Sequence, residues 1–409
     1  MNMKININSA LAALNATKIS ADERENLIMS GSILVLETAA RACNAARVTA
    51  GRPIVDYGSQ FATTADFNAK KAKVADDILY FCAKRVNDFA GLPTDRNDRS
   101  TFTDVSLATN SAFMNLLSGI ISQIQYSITP PLVNELVGEM ASTITVPKGK
   151  TAEIEITSNA VFKWEDASWT SLRSVPRDKL YNSSITVNPT PKAVRFEINF
   201  YQMVGNNGNL IDTIAAVAGG YAAKLMQAFT TAFTTAAANT RYIPSSRKAT
   251  SYTDDNWATI VRNVAAANRV RRDQVIAYGD FLALRKVLPD NATLASAIMT
   301  LMGEEYFKNG YLMSHDGVQL FEVAPTVSPE TINTTMTAVW PTNVIVLAAR
   351  ANMRYAPMII GFEEGGEGRV DLTPGENVIA TGKIQGMSYA SFEIVPAFTS
   401  AIGIITNVQ

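Results

Sequence analysis

Histidine and cysteine are almost missing from this chain: 409 residues contain one histidine, His315, and two cysteines, Cys43 and Cys82. One imidazole cannot build a multi-histidine metal site, and two distant cysteines cannot complete a Cys/His zinc cluster. A Ser-His-Asp triad would have to use His315 itself. That residue stands in SHDG between two strand-like runs, where Asp316-Gly317 is a hairpin-turn signal, so it reads as a turn residue. No G-x-x-x-x-G-K-[ST], no G-x-S-x-G and no G-x-G-x-x-G after a strand occurs. Two cysteines make no disulfide framework; both fall in helical patterns, read as small apolar core residues, and suit a reducing cytoplasm. A strong charge of either sign is also lacking. The net charge of −1 gives no basic surplus with which to bind nucleic acid by bulk charge. The opening MNMKININSALAAL has one lysine and no long apolar run, so it does not read as a signal peptide. No catalytic, cofactor-binding or metal-binding residue is expected.

What the chain does have is one long apolar helix pattern, NLIDTIAAVAGGYAAKLMQAFTTAFTTAAAN, from Asn209 to Asn239. Leu210, Ile214, Val217, Tyr221, Leu225, Ala228 and Ala232 recur at steps of three and four, with Ile211, Ala215, Ala218, Phe229 and Phe233 beside them. Asn209 can cap the start and Asp212 complements the dipole of the first turn. Such a helix would span roughly 45 Å. Gly219-Gly220 weaken its middle and predict a bend. Asp212, Lys224 and Gln227, among many Ala and Thr, leave too little Leu, Ile and Val for a membrane span.

Residues 1–130 read as mostly helical. One helix follows a Ser20 cap with Glu23 three residues on. A second fits Ala65–Phe89, with Phe67, Val74, Ile78, Phe81, Cys82, Val86 and Phe89 on one side. Lys70, Lys71, Lys73, Lys84 and Arg85 form its solvated face, and Gly91-Leu92-Pro93 stops it. A third covers Asp104–Gln123; Thr129-Pro130-Pro131 breaks the chain before a short helix, LVNELVGEM. The polar links between these helices predict an arm laid over something else in preference to a compact bundle.

From Ile144 the apolar period becomes two. TITVPKGKTAEIEI places Ile144, Val146, Ile154 and Ile156 around a Pro-Lys-Gly-Lys turn, and AVRFEINFYQ alternates Val194, Phe196, Ile198 and Phe200 with Arg195, Glu197, Asn199 and Tyr201. Between them VFKWEDASWTSLRSVPRDKLYNSS sets two tryptophans among charges. The pattern predicts a long two-stranded excursion that needs support, from the body or from another subunit. Its candidate inter-subunit contacts are Lys163, Trp164, Glu165, Asp166, Trp169, Arg173, Arg177 and Asp178.

Further on, Asp254 or Asp255 caps a helix bearing Trp257, Ile260, Val261 and Val264, QVIAYGD is a short buried strand, and Asp280 caps FLALRKVL. A helix over Asn291–Phe307, a hairpin YLMSHDGVQLFEV and the strand NVIVLAA follow, the mixture of an α+β domain. GFEEGGEGR at 361–369 reads as a mobile acidic loop; the spacing of Glu363, Glu364 and Glu367 matches no calcium motif. The closing MSYASFEIVPAFTSAIGIITN demands burial.

Helical arm, two-stranded loop, long helix, α+β domain and returning strands together resemble the major capsid protein of tailed double-stranded-DNA bacteriophages, a fold shared with encapsulins and the herpesvirus capsid floor. ITVPKGKTAEIEI with AVRFEINFYQ resembles the extension loop, NLIDTIAAVAGGYAAKLMQAF the spine helix, and NWATIVRNVAAANRVRRDQVIAYGDFLALRKVL the helix-strand-helix of the axial domain. The match covers about residues 130–409. It implies an α+β fold divided into a helical N-terminal arm (1–143), an extension loop (144–202), a peripheral domain with the spine helix (203–250 and 386–409) and an axial domain (251–385). It also implies a non-enzymatic homo-oligomer of pentamers and hexamers in an icosahedral virion shell, assembled in the host bacterial cytoplasm. Portal, scaffold or decoration proteins and double-stranded DNA packed without sequence specificity would be its partners, with no membrane. The arm is expected to be retained in the shell. Near-neutrality agrees, since little repulsion opposes self-association. The alternatives are an encapsulin-like compartment shell and a cytoplasmic hydrolase using Glu304-Glu305 or Asp254-Asp255, residues that also fit helix starts and solvated surface.

Overall fold

In the computed structural model residues 22–49, 61, 63–137, 140–157, 182–205, 209–238, 243–289, 291, 293, 295–296, 300, 306, 310–323, 331, 334–349, 357–366, 368–397 and 401–408 are described. The first helix, α1 (Glu23–Thr49), starts after Asp22, whose Oδ1 accepts the Arg24 amide at 2.9 Å. Ser20, the expected cap, lies outside the described residues. Helix α2 (Thr64–Ala90) is capped by the Thr63 hydroxyl and ends at Gly91, where φ is 70°. Its predicted stripe is buried with one correction: Phe89 is 97% exposed. Residues 88–93 are all exposed, so the last turn projects past the packed part of the helix. Lys71 is the opposite correction. It sits four residues after Phe67 and three before Val74, inside the apolar stripe, and is buried. A buried ammonium needs a partner, and Lys71 Nζ donates to both Asp212 oxygens at 2.8 and 2.9 Å.

A one-turn helix, Ser100–Thr103, and a 3₁₀ segment, Val105–Thr109, precede α3 (Ser111–Val137). The expected break at Thr129-Pro130-Pro131 does not occur; α3 runs through it. Proline's fixed φ is already helical, and its cost here is the amides that would have bonded the carbonyls of Tyr126 and Ser127. Tyr126 is half exposed, so water can reach that turn. A second expectation is met in part. The described helices pack on one another, with Leu34, Ile78, Leu79, Leu117, Ile120 and Ile124 all but inaccessible. The same core takes in Leu210, Ile214, Val370, Leu372 and Ile384 from further along the chain, so the helices form a bundle and also lie over the body. Gly31 lets α1 and α3 close up: a Cβ there would stand 2.6 Å from Ile124 Cδ1.

The strands follow. β1 (Ala141–Val146), β2 (Ala152–Thr157), β3 (Asn182–Val187) and β4 (Thr190–Asn199) lead through a one-turn helix, Phe200–Met203, to α4 (Asn209–Ala238). After it come β5 (Lys248–Ala249), α5 (Asp254–Asn268), β6 (Val275–Gly279), a one-turn helix Phe281–Leu284, β7 (Ser314–His315), β8 (Val318–Glu322) and β9 (Ile345–Ala349). β10 (Met358–Glu363), β11 (Arg369–Pro374), β12 (Lys383–Pro396) and β13 (Gly403–Ile405) complete the chain. The helix expected over Asn291–Phe307 lies for the most part outside the described residues.

One sheet holds β1, β10, β12, β11 and β4. β10 pairs antiparallel with residues 392–396 of β12 and β11 with 384–389, while β4 pairs with 383–392. Because β4 overlaps both, β10 and β11 run end to end along the edge of β12 opposite β4. The acidic glycine-rich stretch is therefore a bulge between two halves of one strand line, held where the Ser391 amide donates to the Gly366 carbonyl at 2.8 Å. The outer edge of β11 is closed by α3: the amides of Val370 and Leu372 donate to Ser122 Oγ and Ser118 Oγ, each at 2.8 Å. The second sheet runs β5-β13-β9-β6-β8-β7. α5 covers it, burying Trp257, Ile260, Val261 and Val264 as the spacing predicts. Its cap is Thr253, whose Oγ1 accepts the Asn256 amide at 3.1 Å, so Asp254 and Asp255 occupy the first turn. Asp316 and Gly317, at φ 50° and 77°, make the tight turn read from the sequence.

Helix α4 joins the parts. Leu210, Ile211, Ile214 and Ala218 belong to the bundle core, whereas Leu225, Met226, Phe229 and Phe233 pack between the sheets, against Ile360, Phe392, Val346 and Trp340. The helix is unbroken across Gly219-Gly220. Among the described residues no single helix is long and apolar enough to cross a membrane.

Candidate functional site

The contacts read from the sequence, Lys163, Trp164, Glu165, Asp166, Trp169, Arg173, Arg177 and Asp178, lie outside the described residues. The structure describes the root that carries them. β2 and β3 form a two-stranded antiparallel ribbon, Ala152 opposite Val187 and Thr157 opposite Asn182, that pairs with no third strand among the described residues. Two sequence assignments change here. AVRFEINFYQ does not return the excursion, because β4 pairs with β12, and Phe200 already begins the one-turn helix. β1, which leads into the Pro147-Lys148-Gly149-Lys150 turn, is a sheet strand parallel to β10 and not an arm of the ribbon.

The ribbon is rooted by packing. Successive β10 residues point to opposite faces, so Ile360 and Phe362 meet the long helix α4 while Ile359 faces the ribbon. That explains the unbroken apolar run MIIGF: both of its faces are covered. Val146, Ile154, Val187, Ile359 and Ala397 form the small buried core under the root. Gly361 is required for this approach, since a Cβ there would stand 2.3 Å from Val187 Cγ1. Two carboxylates pin the flanking turns: the Gly149 amide donates to Glu363 Oε1 at 3.0 Å, and the Asn188 amide donates to Glu393 Oε2. Glu363 thus holds a backbone amide. Glu367 lies outside the described residues, and among those described no group of three metal-ligating side chains gathers.

The remaining chemistry-bearing side chains serve packing. Cys82 is fully buried and its thiol is pushed up to about 12 by desolvation, so it is inert as a nucleophile; the side chain of Cys43 lies outside the described residues. His315 is buried, a correction to its reading as a turn residue: it ends β7, just before the turn. Its ring lies 5.4 Å from that of Trp257, with Nε2 3.2 Å from Tyr252 Oη, 3.9 Å from Asp254 Oδ1 and 4.0 Å from Asp316 Oδ2. Burial lowers its pKa, and the Asp316 and Asp254 carboxylates oppose that shift. Asp255 adds surface charge to the same helix start. Glu304 and Glu305 lie outside the described residues.

Sequence reasoning missed an open groove of about 740 Å³ between α4 and the end of β12, lined by Lys192, Lys224, Ala232, Phe392 and Ile394 among others. Lys192 Nζ sits 4.3 Å over the Phe392 ring and donates to the Phe392 carbonyl at 3.0 Å; burial lowers its pKa. The small residues on this side of α4 were the available signal.

No protein-family model matches the sequence, and no curated protein matches it. The chain is similar to solved structures from phages and from a GTA particle. One is from Mycobacterium phage Bobi, at 13% identity and a TM-score of 0.45, covering 66% of this chain and 89% of that one. Another is the capsid of a native GTA particle, at 10% identity and 0.42, covering 67% and 90%. A third is the satellite phage P4 procapsid including size determination (Sid) protein, at 10% identity and 0.38, covering 69% and 91%. Overlaps of this size leave the function to be argued from the chain's own geometry.

Proposed function

We propose that this chain is the major capsid protein of a tailed double-stranded-DNA bacteriophage, a structural protein that assembles into pentamers and hexamers of an icosahedral shell. The observation that carries the proposal is the rooted ribbon. β2 and β3 are fastened to the sheet by a dedicated apolar core and two carboxylate contacts, pair with no third strand among the described residues, and are joined by a charged, tryptophan-bearing stretch of sequence. A two-stranded ribbon alone is marginal in water, so its support comes from a neighbouring subunit. Such an arrangement has a use in assembly and none in catalysis at a closed site. The spine helix agrees with it, since one element crossing two cores makes the body stiff enough to bear a shell contact.

The shell encloses double-stranded DNA without reading its sequence, in line with a net charge of −1. Portal, scaffold or decoration proteins are its other partners, and it functions in the virion after assembly in the host cytoplasm. Within the chain, α5 and the six-stranded sheet form the axial part, and the five-stranded sheet with the second half of α4 forms the peripheral part. In this reading β12, which runs unbroken from Lys383 to Pro396, belongs whole to the peripheral part.

Negative-stain electron microscopy of the purified full-length chain tests this. Closed shells of uniform size are expected, and particles recovered from infected cells should hold DNA. A small oligomer that never closes contradicts the proposal, and shells filled with an enzyme cargo replace it with an encapsulin-like compartment.

A further inference from the structure

β4 is the outermost strand of the five-stranded sheet. Among the described residues its one strand partner is β12, in an unbroken register from Thr190↔Phe392 to Asn199↔Lys383. The Phe200 amide donates to the Gly382 carbonyl, so the even-numbered positions turn their backbone groups toward β12. Ala193, Arg195, Glu197 and Asn199 therefore turn theirs outward. Pro191, which has no amide, closes the row at one end, and the cap of the Phe200–Met203 turn closes it at the other. The strand is accessible: Val194 is 52% exposed and the Glu197 side chain 53%.

Long open edges are normally blunted by charge, since an unmatched charge repels a stray strand. Here the charges are arranged to match a copy of the same strand. Written from Ala193 to Asn199 the edge reads AVRFEIN, with Phe196 at its centre. Turning a second copy antiparallel about Phe196 puts Arg195 opposite Glu197, twice, and at positions whose amides and carbonyls face outward and can bond. The same operation sets Val194 opposite Ile198, again twice, and Phe196 opposite Phe196 at the axis. Every cross-strand pair on one face is then apolar, and the charged pairs on the other are opposite in sign. Slipping the copy by two residues sets Glu197 opposite Glu197 or Arg195 opposite Arg195, so the charge pattern selects one register.

We infer that β4 is a homotypic docking edge, which joins two copies of this chain by antiparallel pairing about a twofold axis at Phe196 into one continuous sheet. The contact is isologous, the kind that closes on itself. It needs no shell in order to form, so it stands or falls apart from the capsid proposal, and within a shell it would lie on a local twofold.

The test is a full-length chain carrying Val194→Cys and Ile198→Cys. The two positions form non-hydrogen-bonded cross-strand pairs, with Cα atoms about 4.5 Å apart, a span that a disulfide bridges. Within one chain the same positions are about 13 Å apart and cannot join. Mild oxidation should give a covalent dimer on a non-reducing gel. Adding Arg195→Glu or Glu197→Arg should abolish it, and adding both should restore it, because the double reversal rebuilds the opposite-charge pairs. In chains without the cysteines, sedimentation should show association weakened about tenfold by either reversal and recovered by the pair; this arm stands if the cysteine variant fails to fold. Absence of the cross-link in a folded cysteine chain, indifference to the reversals, or failure of the double reversal to restore association would each overturn the inference.

Discussion

Gly361 shows how much of this molecule rests on single atoms. It lies in the middle of β10, covered on both faces, and the space its side chain would fill holds Val187 Cγ1. Gly361→Ala should therefore destabilise the protein by about 1–3 kcal/mol through overpacking. Val187→Ala in the same chain should return part of that loss, read as non-additivity in a denaturant-unfolding cycle; additive losses would mean that the two residues do not meet. No sequence pattern identifies Gly361, since a glycine within an apolar run reads equally well as a bulge or a turn. Lys71 and Phe89 were misread for a related reason. Helical spacing shows which residues share a stripe, but not that Asp212, 141 residues away in sequence, waits to pair with one of them, nor where the partner surface stops. The Asp316-Gly317 turn was legible because its left-handed φ values are a local demand.

At the scale of elements, α4 tests whether its central glycines serve the packing. Gly219 and Gly220 are exposed, the helix continues through both, and a Cβ at either would meet nothing within 4 Å. Gly219→Ala and Gly220→Ala should each stabilise the protein by about 1 kcal/mol. Calorimetry should show a raised Tm for both; a lowered one would mean that the helix needs a bend the alanines resist. The helix was legible nearly to its ends because its wide apolar stripe meets two cores. α3 was cut short in the sequence reading because two prolines outweighed the apolar spacing on either side. β4 was read correctly as a strand and wrongly as the ribbon's return. Alternation shows that a segment is a strand, and only the tertiary register shows which strand it joins. β10 and β11 were hidden in the same way, since a strand interrupted by a glycine-rich bulge looks like two strands and a loop.

For the whole molecule, the α+β class and the order helices, ribbon, long helix, mixed sheet and closing strands were legible. The compactness of the bundle was not, because long polar links say nothing about whether the helices beside them meet. The candidate contacts between Lys163 and Asp178 remain proposals, carried by the root that holds them. The central claim is that the ribbon serves assembly and not folding. Its root is buried against β10, so the fold is expected to need Ile154 and Val187 and to tolerate loss of most of residues 158–181. Replacing Phe162–Tyr181 by a short Gly-Ser link separates the two roles. Electron microscopy of that variant, in a preparation whose circular dichroism matches the parent chain, should show no closed shells where the parent forms them. Closed shells from the shortened chain would contradict the account.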